Sequence, residues 1–308
     1  MPTSSIAIVG VGQVGAAAAY ALILGSIANE LLLVDKNVSL RDGQVCDLSD
    51  VAYSCNSRTK VRAASYQQAG QCDIIVITAG SRHITDHTYP ECVHRNISTI
   101  RTILDGMKPL KSDAVLLVVS SPVDLLTSLV LQLSQLPPSQ VLGSGTYLDS
   151  IRLRGMLADR LGVAAKSIDA FVLGVQGESQ VTAWSAATVG GVPINECLSK
   201  GALINRAGLS SECQNRSQGI IRAKGATPFG IGSVVSGICS SIILDKGTVH
   251  PISHFQPSFG CCFSLPVVLG RRGIQRKVQM SLDFDEDAQI TDSATALKRR
   301  IDQVHGGS

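Results

Sequence analysis

Apolar residues in this chain fall into short unbroken runs separated by stretches with helical spacing. Residues 5–9, 30–34, 73–78 (DIIVIT) and 114–120 (AVLLVVS) are rich in branched aliphatics and have strand length, and 140–143 is a shorter run. Strands that are apolar without alternation are buried on both faces. Between them, 16–24, 96–106 and 125–132 carry helical patterns. Strands alternating with helices predict βαβ units and an α/β fold with a Rossmann-type, doubly wound parallel sheet. After about residue 145 the texture changes. Helices are predicted over 149–161, over 211–223 and after Gly232, then a hairpin over 263–269 and 275–282, then a charged amphipathic helix over 286–304. The expected division is a dinucleotide-binding domain, 1–145, and an α+β substrate-type domain, 146–308. The apolar stretch 14–28 is too short for a membrane span, and Gly15 and Gly25 interrupt it, so it reads as a core helix.

Composition narrows the function classes. Hydrophobic residues make up 44% and charged residues 17%, which supports a well-buried core. Net charge is +3, and the basic clusters Arg271-Arg272 and Lys298-Arg299-Arg300 read as solvated surface, so no nucleic-acid partner is expected. There are nine cysteines, an odd number with no C-x-x-C pair. This argues against a disulfide framework or a metal site and for a reducing, cytoplasmic setting. No secretory leader or membrane partner is expected.

Gly10-Val11-Gly12-Gln13-Val14-Gly15 matches G-x-G-x-x-G between a predicted strand and a predicted helix, and Asp35 closes the second strand. Gly10 permits the tight turn, Gly12 lets backbone approach a pyrophosphate, and Gly15 lets the helix pack on the sheet. The helix N-terminus offers free N–H groups to phosphates. Asp35 would accept from ribose hydroxyls and repel a 2′-phosphate, which favours NAD over NADP.

Motifs in order along the chain give it a resemblance to L-lactate/malate dehydrogenases: GVGQVG at 10–15, ITAGSR at 77–82, VVSSPVDLLT at 118–127, GSGTYLDSIRLR at 143–154, VLGVQGES at 172–179, KGATPFGIG at 224–232 and LPVVLGRRGI at 265–274. The substitution pattern resembles the dehydrogenase-like module that some proteins fuse to a ubiquitin E2-variant domain. No such domain is read within these 308 residues, and protein partners are expected through it. The resemblance adds Gln13, Val14, Ala79, Gly80 and Arg82 to the cofactor site. It places the substrate carboxylate on Arg152, a pocket threonine at Thr227 and the orienting aspartate at Asp149. The catalytic histidine of the family falls on Gln176, its carbonyl-polarising loop arginine on Tyr89, and its asparagine before proline on Ser121. It also implies a homodimer or tetramer; the chain begins almost at its first strand, which favours the dimer.

Reducing a 2-oxo acid puts hydride on carbon and a proton on oxygen. Histidine can supply that proton near neutral pH, whereas glutamine donates a hydrogen bond but releases no proton. General acid–base catalysis is worth roughly 10²–10⁴-fold. Losing an electrostatic contact to the developing oxyanion costs on the order of 10²–10³-fold. Among the other histidines, His83 and His87 fall on the loop expected to close over substrate, and His250 reads as structural. The expectation this favours is a pseudoenzyme that binds NAD(H) without turnover and serves as a sensor or interaction module in ubiquitin-linked sorting or degradation. The alternatives are an active NAD-dependent oxidoreductase on a 2-oxo/2-hydroxy acid, and a scaffold that binds no nucleotide.

Overall fold

In a computed structural model, residues 4–80, 89–197 and 204–306 are described. The first half runs β1 (Ser5–Val9), α1 (Gln13–Leu24), β2 (Glu30–Val34), α2 (Val38–Ser54), β3 (Lys60–Ala63), α3 (Tyr66–Ala69), β4 (Ile74–Ile77), α4 (Tyr89–Met107), β5 (Val115–Val118), α5 (Val123–Ser134) and β6 (Val141–Gly143). It continues with α6 (Tyr147–Leu161), the two-residue strands β7 (Ile168–Asp169), β8 (Val172–Leu173), β9 (Val181–Thr182), β10 (Thr188–Val189) and β11 (Val192–Pro193), then α7 (Arg206–Lys224) and α8 (Pro228–Ile243). The chain closes with β12 (Thr248–Gln256), β13 (Cys261–Gly270), β14 (Gly273–Lys277) and α9 (Phe284–Gly306). No described helix is long and apolar enough to cross a membrane.

The main sheet has nine strands in the order β14-β13-β12-β6-β5-β4-β1-β2-β3. Its β6-to-β3 part is parallel, and the β12–β14 meander joins antiparallel through Ser253 opposite Gly143. This is the expected α/β, Rossmann-type architecture. The alternation of side chains along each strand explains why both faces are covered. Ala7, Val9, Ile75, Ile77, Leu116 and Val118 point to one core, shared with Ile97, Ile100, Leu126 and Leu297 of α4, α5 and α9. Their neighbours Ile6, Ile8, Ile74, Val76, Val115 and Leu117 point to the other, with Leu22 of α1 and Val235 and Ile238 of α8.

Three elements depart from the sequence pattern. Helix α2 buries only Leu48 and Ala52, so it shows no apolar stripe to read; Asn37 caps it by accepting from the Leu40 amide at 3.1 Å. The short strand β3 has only partly buried side chains. Strand β12 is deeply buried yet carries His250, Ser253, His254 and Gln256, which disguise it as a loop. Its imidazoles find partners locally, whereas the Ser253 hydroxyl makes no hydrogen bond. His250 Nε2 meets Ser241 Oγ at 2.9 Å and Thr248 Oγ1 at 2.8 Å, and His254 Nε2 meets Gln256 Nε2 at 2.8 Å. Burial holds both imidazoles down to about 4, so they are neutral at pH 7.

Helices α1 and α8 touch through main chain. A Cβ on Gly232 would stand 2.7 Å from the Ala17 carbonyl oxygen, and one turn further along both helices Ser236 Oγ donates to the Ala21 carbonyl at 3.3 Å. Contacts that advance together mean the helices run parallel. Gly232→Ala should therefore cost about 1–3 kcal/mol through overpacking. Gly219→Ala on α7, where a Cβ meets nothing within 4 Å, should be neutral or gain up to about 1 kcal/mol. Thermal unfolding of the two variants checks this, and equal effects would contradict the close approach.

Candidate functional site

The turn from β1 into α1 forms the nucleotide side. Gly10 has φ +97°, a conformation that favours glycine, and a Cβ there would lie 2.6 Å from the Ala79 backbone. A Cβ on Gly15 would run into the Gly10 carbonyl oxygen, which already accepts from Thr78 Oγ1 at 2.5 Å. Gly12 differs: a Cβ on it would enter open space. It is the N-cap of α1 and brings no side-chain cap, and the first turn, with exposed Gln13 and half-buried Val14, carries no acid. Free N–H groups and the positive end of the helix thus face the open space above Gly12, a cradle shaped for an anion.

Asp35 closes β2 beside this turn. Its Oδ2 accepts from the Val11 amide and its Oδ1 from the Asn37 amide, each at 2.9 Å. Each carboxylate oxygen can accept twice, so lone pairs remain for ribose hydroxyls. Ala79 and Gly80 follow β4. Ser120 Oγ donates to the Ala79 carbonyl at 2.6 Å, and Gly80 packs on the Asn96 side chain, whose Nδ2 donates to the exposed Ser121 carbonyl at 2.8 Å. These residues fit a dinucleotide. Arg82, His83 and His87 lie outside the described residues, as does the side chain of Tyr89, whose backbone opens α4.

The other side is built on α6. Asp149 and Arg152 are one turn apart, and Arg152 Nη1 donates to Asp149 Oδ1 at 3.0 Å with side-chain exposures of only 8% and 4%. The same Nη1 meets Ser217 Oγ of α7 at 2.5 Å. The Gln176 side chain, on the turn after β8, stands near Asp149 and favours its charged form. Burial nevertheless holds the Asp149 carboxyl above the ordinary carboxylate range, against the pull of Arg152 and Gln176. The Gln176 backbone N–H donates to Asp124 Oδ2 at 2.7 Å. Burial pushes the Asp124 carboxyl, in the first turn of α5, up to about 7. Thr227, the half-buried N-cap of α8, shares a cavity of about 400 Å³ with Arg152, Arg216, Lys224 and Phe229.

Asp149 and Arg152 therefore pair with Gln176 nearby, and Thr227 lines a cavity together with Arg152. Asp124 and Ser217 are additions. A lone carboxylate among the apolar residues of 123–130 is a signal for the first; nothing in the sequence marks the second. No group of three or more potential metal ligands occurs among the described residues.

Residues 4–143 match the model for the lactate/malate dehydrogenase NAD-binding domain, and residues 146–306 match the α/β C-terminal domain of the same family. L-lactate dehydrogenase A of Rhizopus oryzae is 42% identical over 96% of this chain and 91% of its own. L-lactate dehydrogenase of Synechococcus sp. is 35% identical over 96% and 98%. The crystal structure of a ligand-bound minor L-lactate dehydrogenase from Enterococcus mundtii superposes with a TM-score of 0.93 at 32% identity, covering 98% of each chain. These likenesses support NAD as the cofactor.

They also overturn the expectation of a pseudoenzyme acting as a sensor in ubiquitin-linked sorting. Relatives alignable over nearly the whole chain are L-lactate dehydrogenases, and a working oxidoreductase is the better-supported reading. The physical reason lies in the site. The Gln176 backbone is tied to Asp124, and the Asp149–Arg152 pair is intact and buried. The substitution changes the chemistry of one group and leaves its surroundings assembled.

The two inner glycines separate binding from stability. Gly12→Ala has an allowed backbone and open space, so it should melt like wild type while NADH affinity falls by calorimetry. Gly15→Ala should lower the melting temperature, because its Cβ meets main chain. NADPH binding as tightly as NADH would contradict the role given to Asp35.

Proposed function

Since the chain belongs to the lactate/malate dehydrogenase family, we propose that it is a working NAD-dependent oxidoreductase on a small 2-oxo/2-hydroxy acid. The observation that carries this reading is the buried guanidinium of Arg152, held by Asp149 and Ser217 through one nitrogen. That tether fixes the plane of the fork and leaves its remaining N–H groups for a carboxylate, which guanidinium binds in bidentate fashion. NADH, when bound, supplies the hydride that reaches the carbonyl carbon. The Gln176 amide donates a hydrogen bond to the carbonyl oxygen and polarises it. Glutamine releases no proton, so the proton that completes the hydroxyl comes from another group. Asp149, ion-paired with Arg152 at 3.0 Å, is the carboxylate that orients the guanidinium. Thr227 lines a cavity together with Arg152.

The nucleotide residues at 10–15 and 35 fall in the part we assign to 1–145, and Arg152, Gln176 and Thr227 in the part we assign to 146–308. The finer resemblance, to the dehydrogenase-like module of ubiquitin E2-variant fusion proteins, has only the substitutions at Tyr89, Ser121 and Gln176 in its support. Nine cysteines, all free, favour a reducing, cytoplasmic setting.

NADH oxidation against a panel of 2-oxo acids, pyruvate first, tests this reading. Turnover is expected, with Arg152→Gln raising KM. Gln176→His should raise kcat by about 10²-fold or more, the worth of a general acid. A silent panel from folded, NADH-binding protein would refute the proposal.

The second part of the reading is a homodimer. Tyr53, Val38 and Leu40 of α2 are exposed apolar side chains on one helix. Light scattering should give twice the chain mass of 32.4 kDa; a monomer contradicts it, and four times that mass corrects it to a tetramer.

A further inference from the structure

Asp124 is 2% exposed, and among the described residues no basic side chain pairs with it. Burying a carboxylate without a cation is costly, so what it holds is informative. It is not serving its own helix. Pro122 is the N-cap of α5 and makes no side-chain cap, and Asp124 Oδ2 reaches out of the helix to the Gln176 amide at 2.7 Å. Oδ1 makes no hydrogen bond. The groups around the carboxyl are Ser253 of β12, whose hydroxyl favours the charged form without completing a bond, and the buried thiols of Cys261 and Cys262 of β13. The carboxyl thus has one hydrogen bond, and that bond goes to the residue standing where a proton donor would act.

The turn carrying Gln176 needs such a tether. Gly174 and Gly177 flank it at φ +81° and +117°, backbone that other residues would not have to visit. Gly174 is fixed by paired bonds to Ser264 at 2.9 and 3.0 Å, and the Gly177 carbonyl accepts from Gln214 Nε2 at 3.2 Å. Between those ends, Asp124 supplies the bond at residue 176.

We propose that Asp124 is a positioning residue of this site, fixing from the first turn of α5 the backbone of Gln176 and hence the point from which its amide meets the substrate carbonyl. The inference rests on the oxidoreductase reading. A carboxylate is the stronger acceptor for that N–H, but the position depends on acceptance, so an isosteric amide should preserve most of it.

Asp124→Asn and Asp124→Ala in the full chain test this. Each is assayed for kcat and KM with NADH and the most active 2-oxo acid, and titrated calorimetrically with NADH and then with oxamate, an unreactive 2-oxo acid analogue. Asp124→Ala should lose about 10²-fold in kcat, the cost of roughly 1 Å of misplacement. It should bind oxamate at least tenfold more weakly, with NADH affinity unchanged. Asp124→Asn should stay within a few-fold of wild type in both. Wild-type kcat and oxamate affinity in Asp124→Ala would overturn the inference. So would an Asp124→Asn variant that binds NADH normally yet is as impaired as Asp124→Ala. A wild-type chain silent toward every 2-oxo acid sinks the oxidoreductase reading alone, because the oxamate titrations still decide Asp124 without turnover.

Discussion

A carboxylate in a protein interior must be answered by hydrogen bonds or by charge, because removing it from water costs several kcal/mol. This chain buries two within one neighbourhood, Asp149 at 3% and Asp124 at 2% exposure. Answering them draws together parts of the chain that are distant in sequence. Asp149 is met by Arg152 from its own helix, with the Gln176 side chain nearby, and Arg152 is in turn met by Ser217 of α7. Asp124 of α5 holds the Gln176 backbone. Three helices and one glycine-flanked turn converge around these two carboxyls. The binding pocket is the space left beside that convergence.

Gln176 also bears on the charge that Arg152 presents. With a neutral amide next to Asp149, the guanidinium of Arg152 is its ion-pair partner among the described residues. An incoming carboxylate therefore meets a cation already partly neutralised, and the anionic substrate has to share it. The arrangement trades some attraction for a fixed geometry, since a guanidinium tied through one nitrogen loses little freedom when the remaining N–H groups engage.

The parallel strands were legible because burial on both faces leaves unbroken apolar runs, and the glycine turn because its spacing has one steric solution. Asp149, Arg152 and Gln176 were legible as motif positions. Strand β12 was hidden because its buried positions include histidine, serine and glutamine, and the neighbours that meet the two imidazoles are ones no pattern reveals. Helix α2 was hidden because it covers little of the core. Asp124 escaped as a site residue because it acts on a backbone N–H, and a backbone donor carries no sequence identity. The sequence also weighed too heavily on the missing histidine. It shows which proton donor is absent, but not that the backbone of its replacement is still held, by Asp124.

The main-chain contact of α1 with α8 has a metric consequence. The glycine turn lies at the N-terminus of α1 and Thr227 at the N-terminus of α8, and the two parallel helices are in register from Ala17 and Gly232 onward. The spacing between the cofactor end and the substrate end is therefore gauged by backbone on backbone, like two rulers clamped edge to edge. Side-chain replacements elsewhere on the surface of either helix can alter charge, solubility or association. They leave that calibration untouched, so the outer faces of both helices are free to diverge while the working distance is inherited unchanged.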